Sequence, residues 1–433
     1  MISVSRLNRT LRGYLVWQHR VTGLLMTVFL VIVAVTGSIL ALKPMATRVL
    51  HPELFVRQSK ATPRMSLGEL AQKTEAHFPH AQVWFISYAP GQAHAVITPR
   101  TDPVTMKAYE LPFNSVDLDP YSGRLLGTEG EGCHPDSSPG FMATVYSLHT
   151  NLASGAWGAT ILGYVAIVWT IDCFVGFYLT LPVSNRGFWQ NWRIAWKMKH
   201  QGGLFRFIFD LHRAGGLWLW PLLFILAWSS VLVARADVYD LVMRRLFAYR
   251  DDLELILEVP VEERASPKMS WVSAQRAGDE LFAAIAQKQH LKLYEPQSLA
   301  FIGRNNAFGY AMVTSDSFRY SQPDSVVWFS ADDGKLLQYF PARGNSGKTI
   351  SHALTAMHLG DFYGESYRYV EAVAGLGITG LTVTGVWIWW RKRRARRRRG
   401  VAPGKLPAAV IDSQISAVRP GARPLRAEPT DQA

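Results

Sequence analysis

Four of the chain's twelve histidines occupy matched places in its two halves. His19-Arg20-Val21-Thr22-Gly23 and His212-Arg213-Ala214-Gly215-Gly216 both read H-R-x-x-G. Leu148-His149 and Met357-His358 are each followed, six residues after the histidine, by a glycine, Gly155 or Gly364. Two neutral imidazoles on facing helices can supply both axial ligands of a haem iron. The expected pairs are His19 with His212 and His149 with His358, holding two haems. No C-x-x-C-H occurs, and Cys133-His134 is only a fragment of one, so the groups would be non-covalent haem b. Zinc or copper is a weaker fit, because no further cysteine or acidic cluster accompanies either pair. A single histidine of this kind is more simply an interfacial residue satisfied by water or carbonyls; the symmetric pairing is what favours ligation. His352, one and a half turns before His358, is the alternate ligand there, and His200 is a weaker substitute for His212.

These histidines flank four apolar blocks, which are the elements that must position them. Charged residues make up only 18% of the 433-residue chain, against about 25% in soluble proteins. Residues 21–42 carry no charge, 152–183 carry only Asp172, and 214–234 and 372–390 carry none. Twenty-two helical residues rise about 33 Å, enough to cross a bilayer core of about 30 Å. Four such blocks, several ending in tryptophan, predict four transmembrane helices. Asp172 is the one carboxylate well inside a span, where it would accept a proton or bond a neighbouring helix.

Basic residues orient the spans. Arg6, Arg9, Arg12 and Arg20 precede the first, Arg186, Arg193, Lys197, Lys199 and Arg206 lie in the connector 184–213, and residues 391–399 are basic except Ala395. With four alternating spans these clusters fall on one side, the cytoplasmic one. Residues 1–20 and the tail 391–433 are then cytoplasmic, and connectors 43–151 and 235–371 external. The basic tail abuts a span, which favours topology and anionic-lipid contact over nucleic acid. No cleavable signal pattern is apparent, so the first span is expected to remain as an anchor. Beyond residue 400 the tail, rich in proline and alanine, is expected to be disordered. Cys173 lies within an apolar block, so no bridge to Cys133 is expected.

Each external connector repeats one plan. A helical stretch comes first, residues 66–78 or 270–289, with Ser66 and Glu69 spaced as a capping box. Strand-like runs follow at 83–88 and 93–98, then at 299–302 and 310–314. Hairpin turns close at Ser122-Gly123 and Asp333-Gly334. The turn motifs Asp119-Pro-Tyr-Ser-Gly123-Arg-Leu-Leu and Asp332-Asp-Gly334-Lys-Leu-Leu match each other. The predicted fold is an integral membrane α-helical protein: four transmembrane helices as a duplicated pair, with two small external α+β domains.

That plan resembles the PepSY-associated transmembrane family of bacterial membrane proteins, over about residues 5–395. The resemblance rests on the two H-R-x-x-G motifs, the two external turn motifs and the later histidine pair. It implies an inner-membrane protein with PepSY-like external domains and an association with iron uptake. Some members look like haem-bearing reductases of ferric siderophores. On that basis the expected activity is outward electron transfer, from quinol or a cytoplasmic reductase, to a ferric siderophore at the external face. Arg20 and Arg213 would anchor the cytoplasmic ends or pair with haem propionates. Small residues beside the ligands (Gly23, Gly37, Gly155, Gly158, Gly216, Gly364) would admit a flat macrocycle, though ordinary helix packing uses them too.

Other motifs carry nothing. Gly375-Leu-Gly377-Ile-Thr-Gly380 matches the dinucleotide fingerprint but lies in a span without a βαβ unit. Asn8-Arg9-Thr10 matches a glycosylation site on the cytoplasmic side. With no flavin or nicotinamide motif, electrons would come from another molecule. The rival functions are a membrane-anchored binding protein without catalysis, and a proton- or metal-coupled transporter using Asp172 and the histidines.

Overall fold

The computed structural model describes residues 4–57, 62–129, 140–183, 186–199, 202–249, 266–317, 325–362 and 364–398. Cys133, His134, His200, Arg399 and the tail beyond lie outside the described residues. The chain opens with α1, Val4–Leu50, a 47-residue helix. At 1.5 Å per residue it is about 70 Å long, so it outruns the expected span in both directions. Hydroxyls within its apolar stretch bond their own helix: Thr27 Oγ1 donates to Gly23 O (2.8 Å) and Thr36 Oγ1 to Ile32 O (2.6 Å).

Helix α2, Leu67–His77, follows, with the full capping box between Ser66 and Glu69. Strands β1 (Ala81–Ala89), β2 (Gln92–Pro99), β3 (Ser115–Leu118) and β4 (Leu125–Glu129) form a meander. Helix α3, Phe141–Asn151, then turns sharply into α4, Gly155–Thr180. A short helix α5, Phe188–Ala195, leads to α6, Gly203–Ala234, and α7, Ala236–Leu246. The order then recurs: α8 (Trp271–Gln289, capped by Ser270), strands β5 (Leu293–Ile302), β6 (Ala307–Thr314), β7 (Ser325–Ser330) and β8 (Leu336–Phe340), α9 (Ser346–His358) and α10 (Glu365–Arg398). Among the described residues, four helices are long and apolar enough to cross a membrane: Thr10–Leu50 of α1, α4, α6 and α10.

One expectation changes. The α+β segments do not form separate small domains. They share one antiparallel sheet, ordered β4-β3-β2-β1-β5-β6-β7-β8. The join is β1 against β5, with Phe85 opposite Ala300 and Ser87 opposite Ser298. Side chains of both segments, among them Leu70, Ile86, Val116, Phe282, Leu299 and Phe308, fill one core under α2 and α8. Pairing β1 with β5 hides an edge on each meander that would otherwise expose unpaired backbone groups. His149 and His358, ahead of the second and fourth spans, lie at the ends of separate helices, α3 and α9. Leu152 (φ 54°) and Ala153 (φ 53°) break the chain before α4, and Gly360 (φ 73°) does so before α10.

Helices α1, α6 and α10 meet through Ala34, Leu226, Ala374 and Ile378. Ser38 Oγ donates across this contact to Ala372 O (3.0 Å). Gly375 marks the closest approach: a Cβ there would clash with Ser38 Oγ and lie 2.6 Å from Ala34 O. The glycine-rich run of α10 thus serves helix packing. Gly375→Ala is expected to destabilise the bundle by about 1–3 kcal/mol. Gly380→Ala, where a Cβ meets nothing within 4 Å, should leave stability nearly unchanged. Thermal unfolding of both variants in detergent, followed by tryptophan fluorescence, checks the difference.

Candidate functional site

The structure brings the histidines together in the pairs expected. The His19 and His212 ring centres lie 6.4 Å apart, with their planes inclined at 57°. The His149 and His358 ring centres also lie 6.4 Å apart, inclined at 46°. Each pair joins one histidine from each half of the chain. Two imidazoles bound to opposite sides of one metal ion, with bonds of about 2.0–2.1 Å, would place their ring centres about 6.4 Å apart. The inclination is compatible with such ligation, because each ring can rotate about its own metal–nitrogen axis.

Each ring is held through Nδ1 by a neighbouring helix. His19 Nδ1 donates to Asp172 Oδ2 of α4 (2.8 Å). His212 Nδ1 donates to Leu381 O of α10 (3.0 Å), with Thr384 Oγ1 also at 3.0 Å. His149 Nδ1 donates to Val33 O of α1 (3.0 Å), beside Thr36 Oγ1 (3.2 Å). His358 Nδ1 lies 2.9 Å from Ser229 Oγ of α6, and that hydroxyl donates its own proton to Leu226 O. With that proton so placed, Ser229 Oγ accepts from His358 Nδ1. With the proton of each ring on Nδ1, facing these partners, the Nε2 lone pair is left as the coordinating group.

Glycines let the helices approach these rings. A Cβ at Gly37 would lie 2.9 Å from His149 Cε1, one at Gly176 3.4 Å from His19 Cε1, and one at Gly385 3.2 Å from His212 Cε1. Gly23 and Gly216 differ: a Cβ there would meet nothing within 4 Å. Each stands four residues after a paired histidine, on the same helix face. Open space therefore adjoins the His19–His212 pair, where a flat group would have to enter. Gly158 instead packs its hairpin, since a Cβ there would strike the Asn151 backbone.

The remaining candidates sit apart from the two ring contacts, with one exception. Arg20 is exposed. Arg213 is engaged in the connector, paired with buried Asp210 (2.8 Å) and donating to Ile194 O and Lys197 O. His352 is not in ring contact with His149. Its Nδ1 is buried without a partner, and burial, then Lys348, push its pKa down to about 4. The exception is Asp172, whose role the sequence leaves open: it is 6% exposed and directly bonded to His19.

Sequence reasoning missed the Nδ1 partners, although a signal for them exists. A shift of 193 residues, which carries His19 onto His212, carries Val33 onto Leu226 and Thr36 onto Ser229. A shift of 209, which carries His149 onto His358, carries Asp172 onto Leu381 and Gly176 onto Gly385. The backing residues thus occupy equivalent positions in the two halves.

A family model described as the PepSY-associated TM region matches residues 16–392. The chain belongs to the PepSY-associated TM region family. The match takes in all four histidines of the two pairs and both strand meanders. With its four long apolar helices, this PepSY-associated protein is a multi-pass membrane protein. No curated protein matches the chain at a significant level.

Proposed function

We propose that the protein is a two-haem b-type oxidoreductase of the bacterial inner membrane, which passes electrons outward and reduces a ferric siderophore at the external face. The observation that carries this reading is the twin pair geometry: two histidine pairs, each 6.4 Å between ring centres, with every Nδ1 committed to a protein acceptor. The donor set suits haem. Bare zinc takes four protein ligands in structural sites, and no cluster of three or more His, Cys, Asp or Glu suited to a metal occurs among the described residues. A porphyrin brings four nitrogens of its own and needs only the two axial imidazoles. Bound at each pair, haem would supply a one-electron ferric/ferrous couple.

The protein's residues do the positioning. His19 and His212 would hold one iron, His149 and His358 the other. The helix acceptors fix each ring's tautomer and tune its basicity. Along α1 the two levels, His19 and Thr36, are separated by about 25 Å of helix rise. That separation suits sites near opposite faces of a hydrocarbon core of about 30 Å. The two halves read as a duplication whose copies face each other across both sites.

The basic clusters support a topology with both termini in the cytoplasm and the eight-stranded sheet outside. A reductant on the inner side, quinol or a cytoplasmic reductase, would supply each electron. Each electron reduces one ferric ion to ferrous, and the lower charge weakens a chelate built from hard oxygen donors. The ferric-siderophore substrate follows from the family's association with iron, not from the histidine geometry.

Wild-type protein expressed with adequate haem supply is expected to bind two haems per chain and show a low-spin spectrum. His19→Ala or His212→Ala should remove one haem, and His149→Ala or His358→Ala the other. Gly37→Leu should act like His149→Ala. Pyridine haemochrome assay of the purified variants checks this, and folded wild type without haem contradicts it. Loss with His352→Ala but not with His358→Ala would reassign that ligand.

Topology is tested separately in a background lacking Cys133 and Cys173. A cysteine at Asp333 should react with an impermeant maleimide in intact spheroplasts. A cysteine at Arg396 should react only after permeabilisation. The opposite pattern would reverse the orientation.

A further inference from the structure

The two histidine pairs share a ring separation but not an environment. His19 donates to a carboxylate, while the other three rings donate to backbone carbonyls or a hydroxyl. Asp172 falls on Leu381 when the halves are superposed in sequence, so an acid in one half stands where the other has leucine. Its further donors differ in concert. Gln18 Nε2 (3.3 Å) and Thr22 Oγ1 (3.0 Å) both donate to Asp172 Oδ1. The equivalent residues in the second half are Leu211 and Gly215. Three polar side chains in one half therefore replace three apolar positions in the other. No lysine or arginine among the described residues pairs with Asp172. Its oxygens meet the neutral donors of Gln18 and Thr22 and the His19 ring.

We propose that Asp172 is a positioning residue that makes the His19–His212 site the lower-potential site of the two. The proposal rests on the two-haem reading. A carboxylate accepting the Nδ1 proton makes the imidazole a stronger donor to iron. A buried negative charge also favours the oxidised, more positive state of the metal. Both effects lower the potential, and a carbonyl or hydroxyl acceptor exerts them more weakly. Electron transfer from the His19–His212 site to the His149–His358 site then runs downhill. Each electron lost at the first site is gained at the second, so this internal step needs no further reactant. The direction agrees with the orientation set by the basic clusters: inside to outside.

The test is spectroelectrochemical redox titration of the haem-replete, full-length protein in detergent. His149→Ala, which keeps only the His19–His212 site, should titrate at a lower midpoint than His19→Ala, which keeps only the other. Asp172→Asn and Asp172→Leu should raise the lower wave by at least tenfold in its reduction equilibrium, 59 mV for a one-electron couple. The second wave should stay in place, and Asp172→Glu should restore the low midpoint at least in part. Equal midpoints in the two single-site variants, or a higher one at His19–His212, overturn the proposal even if the Asp172 variants lose haem. So does a haem-replete Asp172→Asn with both waves unmoved. Wild type without haem would instead contradict the two-haem reading on which the proposal stands.

Discussion

The arrangement depends on a hydrogen bond made four times: an imidazole Nδ1–H donating to an acceptor on a neighbouring helix. Without it, a histidine in an apolar bundle would either leave a polar nitrogen unsatisfied or turn towards water. With it, the ring is fixed in one tautomer and its Nε2 lone pair is left for coordination. The acceptors are backbone carbonyls at Val33 and Leu381, and side chains at Asp172 and Ser229. The close glycines at 37, 176 and 385 belong to the same constraint, since a larger residue would push the ring away from its acceptor.

The sheet and the bundle serve each other. Each half contributes one member to each histidine pair, so the halves must be held in a fixed relation. Above the spans, β1 pairs with β5 and α2 lies against α8, where Gly68 N donates to Gln275 Oε1 (2.7 Å). Glu75 reinforces the join by accepting from Trp271 Nε1 (3.1 Å) while pairing with Arg100 (2.9 Å). Among the spans, α1, α6 and α10 share an apolar contact. The common sheet therefore limits sliding of one half past the other, a motion that would separate both ring pairs.

Much of this is legible in the sequence because the signals are local. Uncharged blocks give the spans, serine caps give α2 and α8, and glycine turns give the hairpins at Gly123 and Gly334. The paired histidines are readable because the repeat marks them twice. The features that escape are non-local or masked by composition. Pairing between β1 and β5 joins residues more than two hundred positions apart, and hydropathy does not encode it. Helices α3 and α9 escape as elements, because a short helix beside a span has no separate hydropathy signal, and Leu152 and Ala153, at positive φ, carry no turn signature. Asp172 is visible as an acid in a span, but its bond to His19 depends on how α1 crosses α4. Arg213 looks available for a propionate; its contacts with Asp210 and the connector carbonyls emerge only in three dimensions.

On the proposed function, each histidine pair would grip one iron porphyrin between its rings. The most direct measurement is a cryo-electron microscopy map of the protein in lipid nanodiscs, prepared from haem-supplied cells. Planar density is expected centred between His19 and His212, and again between His149 and His358, with Nε2 of each ring directed at its centre. Well-resolved rings at both places with no planar density between them would contradict it.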